Sequence, residues 1–256
     1  MKYRQLTAIT LTAAMNLATP AWAASDEIQV YTDEMNDPGQ YGVELHLNYV
    51  PKGSKEISHP GEIASNHRFQ ATPEFSYGIT KSLEAGLYVP TAISSDGNFY
   101  ATGLRPRLKY IHPKEEGSPF FWGLNTEFGY SSLKVTDTMW GMEIRPIIGF
   151  ENDHWLLSFN PILNIPLSKG GMHAAAFEPS LKVMRKINEA LELGIEQYSG
   201  MGPINNLQGC KNQEHTTYVA ADLKVKGMEI NFGIGHGYQK AEDDWVIKSI
   251  IAFPFN

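Results

Sequence analysis

The sequence predicts an all-β protein, a closed antiparallel transmembrane β-barrel of about twelve strands with both termini on the periplasmic side. Three observations predict it. An export signal opens the chain, period-two alternation runs through most of the remaining residues, and the alternating segments are longer than strands of a globular sheet, which average about five or six residues.

The signal comes first. Lys2 and Arg4 form a positive n-region, Leu6 to Ala18 an apolar h-region too short for a stop-transfer helix, and Ala21-Trp22-Ala23 a small-x-small cleavage site after Pro20. Residues 1–23 are therefore expected to be cleaved, leaving a mature chain that starts near Ala24. The single cysteine, Cys210, lies far downstream among Gly209, Lys211 and Asn212. This excludes a lipoprotein anchor and an internal disulfide. Mean hydropathy is -0.28, and no later run approaches the roughly 18 apolar residues of a membrane helix. Without Lys2 and Arg4 the 21 basic residues fall to 19 against 28 acidic, a net charge of -9. No basic run is present, so nucleic acid is not an expected partner.

Residues 24–41 are acidic and alternate weakly around Ile28 to Tyr31. They read as a periplasmic N-terminal segment, with an extra strand or a small plug as open alternatives. The barrel is expected over 42–256, with strands at 42–50, 69–77, 82–92, 99–111, 119–131, 139–150, 154–164, 175–186, 189–199, 215–225, 227–237 and 244–255. Most have the nine or more residues that a tilted membrane strand needs, about nine to eleven. In the first, Glu44, His46 and Asn48 oppose Val43, Leu45, Leu47 and Tyr49. In the fourth, Arg105, Arg107 and Lys109 oppose Leu104, Leu108 and Tyr110. In the sixth, Glu143 and Arg145 oppose Met142, Ile144, Ile148 and Phe150. In the eighth, Glu178, Ser180 and Lys182 oppose Phe177, Leu181 and Val183. One apolar and one charged face fit lipid outside and a polar lumen.

Connection lengths support the orientation. With the N-terminus periplasmic, 51–68, 93–98, 132–138, 165–174, 200–214 and 238–243 fall outside, whereas all the inner connections except 112–118 are three- or four-residue turns. Long outer loops and short inner turns are the outer-membrane pattern. Trp122, Trp140, Trp155, Trp245, Tyr49, Tyr77 and Tyr110 sit near strand ends on the apolar face, as interfacial girdles require. A soluble β-sandwich would also alternate, but it would show edge strands charged on both faces. Prolines run against the pattern: Pro73, Pro106, Pro146, Pro161 and Pro179 interrupt strands, where a missing N–H signals a bulge or an edge.

The C-terminal Ile251-Ala252-Phe253-Pro254-Phe255-Asn256 resembles the terminal strand that outer-membrane assembly machinery reads, although that signal normally ends in phenylalanine. Pro73 to Thr80, Glu84 to Pro90 and Glu143 to Gly149 resemble a family of outer-membrane barrels described as transporters related to MetA-pathway phenol-degradation proteins. That resemblance implies an outer-membrane location in contact with lipid and passage of a small solute; it carries over no catalytic residue.

The lumen or constriction candidates are Arg105, Arg107, Lys109, Glu127, Glu143, Arg145, Glu178, Lys182, Glu192 and Glu196. Mixed charge at such spacing reads either as a salt-bridged interior that shuts a structural barrel or as a constriction selecting small polar or charged solutes. A third reading is a lipid hydrolase at the rim, for which Ser65-Asn66-His67 and His215-Thr216-Thr217 are the candidate pairs; no enzymatic activity is expected. The histidines show no ligand-like spacing, so no metal is expected. No Gly-rich phosphate loop is present, since Gly233 to Gly237 precedes no helix, so no cofactor is expected either.

Overall fold

A computed structural model describes residues 26–168, 174–239 and 243–254. The signal segment 1–23 and the last two residues of the C-terminal strand signal lie outside them.

Twelve staves succeed one another as an antiparallel meander: β1 (Tyr41–Lys52), β2 (Phe69–Thr80), β3 (Leu83–Tyr88 and Thr91–Ile93), β4 (Phe99–Ala101 and Gly103–Ile111), β5 (Phe120–Ser131), β6 (Trp140–Glu151), β7 (Trp155–Asn160 and Leu163–Pro166), β8 (Ala176–Phe177 and Ser180–Asn188), β9 (Leu191–Gly200), β10 (Glu214–Val225), β11 (Met228–Gln239) and β12 (Trp245–Phe253). Each pairs with its sequence neighbours, and β1 also pairs with β12, Val43 opposite Phe253, so the barrel closes without a free edge. The strand count expected from alternation is the observed one.

The prolines interrupt hydrogen bonds without shifting register. Gly103 pairs with Ser131 and Arg107 with Glu127 in one unbroken count, and only the ladder beside Pro106 is missing. Likewise Ile148 faces Phe159 and Ile144 faces Leu163, which puts Pro146 opposite Pro161. Ser180 faces Asn160 and Leu163 faces Phe177, which puts Pro161 opposite Pro179. Three prolines thus stand in a row across β6, β7 and β8. Neither member of a facing pair can donate, so β7 and β8 each split there into two pieces. The bulges expected at these prolines do not form.

Burial is inside-out. Outward side chains are apolar and exposed, among them Phe75, Leu108, Trp122, Phe128, Ile148, Ile195, Val219 and Ile234. Inward ones are polar and buried, among them His46, Glu74, Lys109, Asn125, Arg145 and Lys248. Two aromatic girdles flank the apolar band. The inner one pairs Tyr41 with Tyr77, Tyr110 with Trp122, and Phe120 with Phe150. The outer one pairs Phe128 and Tyr130 with Trp140, and His236 with Trp245. A band of this kind needs lipid, because in water so much contiguous apolar surface would be a site of association.

The periplasmic assignment of residues 24–41 needs correction: from Asp26 on, the segment runs inside the barrel. Glu27, Ile28, Val30, Tyr31 and Thr32 are all buried. The segment has no strand partner, so its carbonyls must find donors elsewhere, and the staves supply them. Asn48 donates to the carbonyl of Asp26, Lys248 to Ile28, Arg145 to Gln29, Ser158 and Asn160 to Tyr31, and Lys109 to Glu34. Ile28 joins Val50, Tyr218 and Val246 in one apolar cluster; Tyr31 joins Ile111, Phe121, Ile147, Leu156 and Met184 in another. The segment then turns into β1. Gly39 supplies a positive φ of 83°, and its N–H donates to the carbonyl of Gly78 at 2.8 Å. A side chain at Gly78 would come within 2.3 Å of the Asp37 carbonyl oxygen, so the inner turn of the barrel needs glycine where the segment docks.

Candidate functional site

Nine of the ten lumen candidates lie on strands and Glu178 in the break of β8, and the structure places seven of the ten in three clusters. Arg107 on β4 holds two carboxylates at once, Glu74 of β2 and Glu84 of β3, the latter at 2.8 Å. Arg105 and Arg145 form the second cluster. Arg105 reaches Glu127 on β5 at 3.5 Å and Asp26 of the lumen segment at 2.9 Å. Arg145 takes Glu143 of its own stave at 2.6 Å and Glu27 of the segment at 3.2 Å. The third cluster surrounds Glu196 on β9, which receives Lys248, Lys182 at 3.6 Å, Tyr198 at 2.6 Å and Asn231 at 3.0 Å; Lys182 also pairs with Asp222 at 2.6 Å. Lys109 gives its ammonium to the Glu34 carbonyl. Glu178 lines an outer cavity. Glu192 stands opposite Asp222 outside these pairs.

Such clusters satisfy the requirement that a charge withdrawn from water have a partner. The partners that sequence reasoning missed are Asp26 and Glu27 of the segment. The segment's own composition carried the signal: two acids before Ile28, Val30 and Tyr31 suit a lumen that is both basic and apolar in patches. Tyr31 is the point of convergence. Its N–H donates to Asn160 at 2.7 Å, its hydroxyl shares a hydrogen bond with Tyr88, and the Arg145 guanidinium lies 4.3 Å from its ring centre.

The clusters leave a cavity of about 340 Å³ on the outer side of the segment. Its floor is Asp26 to Gln29. Its walls include Arg105, Glu127, Glu143, Arg145 and Glu178, and its roof includes residues from the outer loops after β1 and β5. These two loops meet where the Ile63 N–H donates to the Lys134 carbonyl at 3.0 Å. The last outer loop is tied to β1 by Lys52 and Asp244 at 2.5 Å, and that hydrogen bond holds the Asp244 carboxyl below its ordinary pKa.

Two alternatives can be judged on geometry. His46 lies with Glu44 and Glu74 in a group of ligand-like size, a proximity created by strand pairing that spacing alone did not reveal. However, the Arg107 guanidinium already neutralises Glu74, so a cation would be added beside a cation. Of the hydrolase pairs, His67 bonds the Tyr49 hydroxyl at 3.1 Å and Ser65 bonds the Ser54 N–H at 3.0 Å, so Ser65 and His67 make no dyad. His215 meets Ser199, its cross-strand neighbour, at 2.9 Å and stacks on Tyr238 in the outer girdle.

No family model matches the chain, and no curated protein matches it significantly. The resemblance to MetA-pathway-related barrels therefore stays at the level of the broad barrel class. Solved structures do match. An outer-membrane channel from Pseudomonas putida F1 aligns with a TM-score of 0.64 at 12% identity, covering 90% of this chain and 100% of that one. The KdgM porin, solved alone and in complex with disordered oligogalacturonate, aligns with a TM-score of 0.53 at 9% identity over 84% of this chain and 99% of that one. At such identities the likeness shows the fold. With its closed meander and apolar belt, the chain has the fold of an outer-membrane β-barrel.

Proposed function

We propose that the protein is an outer-membrane channel for small polar or charged solutes, held shut by its own N-terminal segment. The observation that carries this reading is the placement of residues 26–38. About eight strands make a barrel that side chains fill, and about sixteen leave an aqueous channel. Twelve staves leave room for one extended chain, and here that chain is the segment. It is held by ion pairs and by side-chain bonds to its carbonyls, with no ladder to any stave, and such contacts can be exchanged for water and solute while the barrel stays closed. The likeness to channel and porin folds supports passage. In this reading the Ser199–His215 contact is a girdle neighbour pair without a catalytic role.

A second reading, a permanently shut structural barrel, is favoured by the two buried apolar clusters around Ile28 and Tyr31. Single-channel conductance in planar bilayers separates the two. The full chain should give rare, small steps. A variant lacking residues 26–36 should give long, large ones, with ion selectivity altered by Arg105→Ala and Glu127→Ala. If the shortened barrel, shown to be folded and inserted, is as silent as the full chain, the channel reading fails.

A further inference from the structure

The cavity above the segment is lined by nine Asp and Glu residues against two Arg, with His59, His215, Tyr198 and Tyr218 as its other titratable groups and no lysine. Arg105 and Arg145 between them serve four carboxylates, Asp26, Glu27, Glu127 and Glu143. Glu178 adds a fifth, and one of its oxygens is buried without a hydrogen-bond partner. A second and independent observation comes from a neutral group. Gln70 lines the same cavity, is 1% exposed, and its amide oxygen has no partner. A buried acceptor left unpaired is costly. Two orphaned acceptors in the lining of one acid-rich cavity ask for a ligand that brings donors and positive charge.

We infer that this outer vestibule is a binding site for cationic, hydrogen-bond-donating solutes, the class of small organic amines. The inference deepens the channel reading and rests on it for any role in transport. Walls of one sign focus the field inside a cleft and concentrate the opposite charge there. The volume lies at the lower end of the range for small-molecule sites, roughly 300–1,000 Å³, which suits a short amine and excludes a folded polymer. Because Asp26 and Glu27 belong to the segment, an ammonium in the vestibule would compete with Arg105 and Arg145 for the carboxylates that hold the segment down. Recognition of a cation would then loosen the plug.

The test is isothermal titration of spermidine into the folded full-length protein in detergent, with the dianion adipate as the counterpart probe. One saturable spermidine site is expected, weakened at least tenfold in Glu178→Gln, a substitution that breaks no ion pair, and further in Glu178→Gln with Glu143→Gln. Adipate should give no heat. Absence of spermidine binding, binding that the substitutions leave unchanged, or a preference for adipate overturns the inference. Heats of binding need no ion flow, so the outcomes stay separable. A silent barrel that binds spermidine removes the channel reading alone, and a conducting barrel that ignores spermidine removes this one alone.

Discussion

Lys248 shows what a single residue contributes in this interior. It stands on β12, and its ammonium bonds Glu196, the Ile28 carbonyl at 2.8 Å and the Tyr198 hydroxyl at 3.2 Å, with the rings of Tyr198 and Tyr218 each 5.4 Å away. It joins two staves and the segment at one atom. Removing one partner of a buried pair leaves the other charged and unmatched, at about 3–5 kcal/mol. Lys248→Met is therefore expected to lower the unfolding free energy of the barrel, read from urea titration, by that order, and Lys248→Met with Glu196→Leu to recover most of the loss. A single substitution without effect would mean that Glu196 is served by Lys182 alone. At this scale the sequence was partly legible. Alternation assigned Glu196, Lys182 and the other candidates to the inward face, because side chains switch faces at every residue. Who pairs with whom was not legible. Arg107 meets Glu74 and Glu84 because of stave register and side-chain reach, and Arg145 meets Glu27 across 118 positions of chain, distances that no local pattern encodes.

At the scale of elements, the lumen segment and the prolines depart most from the sequence reading, for related reasons. Both concern backbone groups deprived of a ladder. The segment is too short of alternation to take a place in the sheet, and inward Asn, Ser, Lys and Arg side chains take its carbonyls instead; this solution becomes visible only once the barrel is closed around it. The prolines look like breakers one at a time. Pro146, Pro161 and Pro179 fall opposite each other only because of register, so each gap is shared between two staves and the barrel loses few bonds. The docking of the segment gives a prediction at this scale. Gly78→Ala places a carbon against the Asp37 carbonyl, an overpacking worth about 1–3 kcal/mol. Amides of residues 30–40 should exchange with deuterium faster in this variant while those of β5 to β12 keep their protection. Equal protection throughout would show that the turn does not hold the segment in place.

For the whole molecule, the sequence and the structure agree because one physical requirement acts on every stave: lipid outside demands apolar side chains, and a closed ladder demands that every strand have two neighbours. That agreement makes an inverted stability rule testable. Val219 lies at the middle of β10 and is 72% exposed, while its neighbours Tyr218 and Ala220, facing inward, are 2% exposed. In a water-soluble protein a surface valine this exposed tolerates arginine with a change within about 0.5 kcal/mol. On the lipid face near the bilayer midplane the same change costs about 2–4 kcal/mol. Val219→Arg is thus expected to destabilise the barrel in lipid vesicles by an amount in the second range, with a smaller loss for Leu104→Arg, which lies opposite Tyr130 of the outer girdle. The measurement is reversible urea unfolding in vesicles monitored by tryptophan fluorescence. Equal and negligible losses at the two positions would mean that the apolar belt does not face hydrocarbon. A loss that grows toward the middle of the stave is what a membrane, and no soluble environment, imposes.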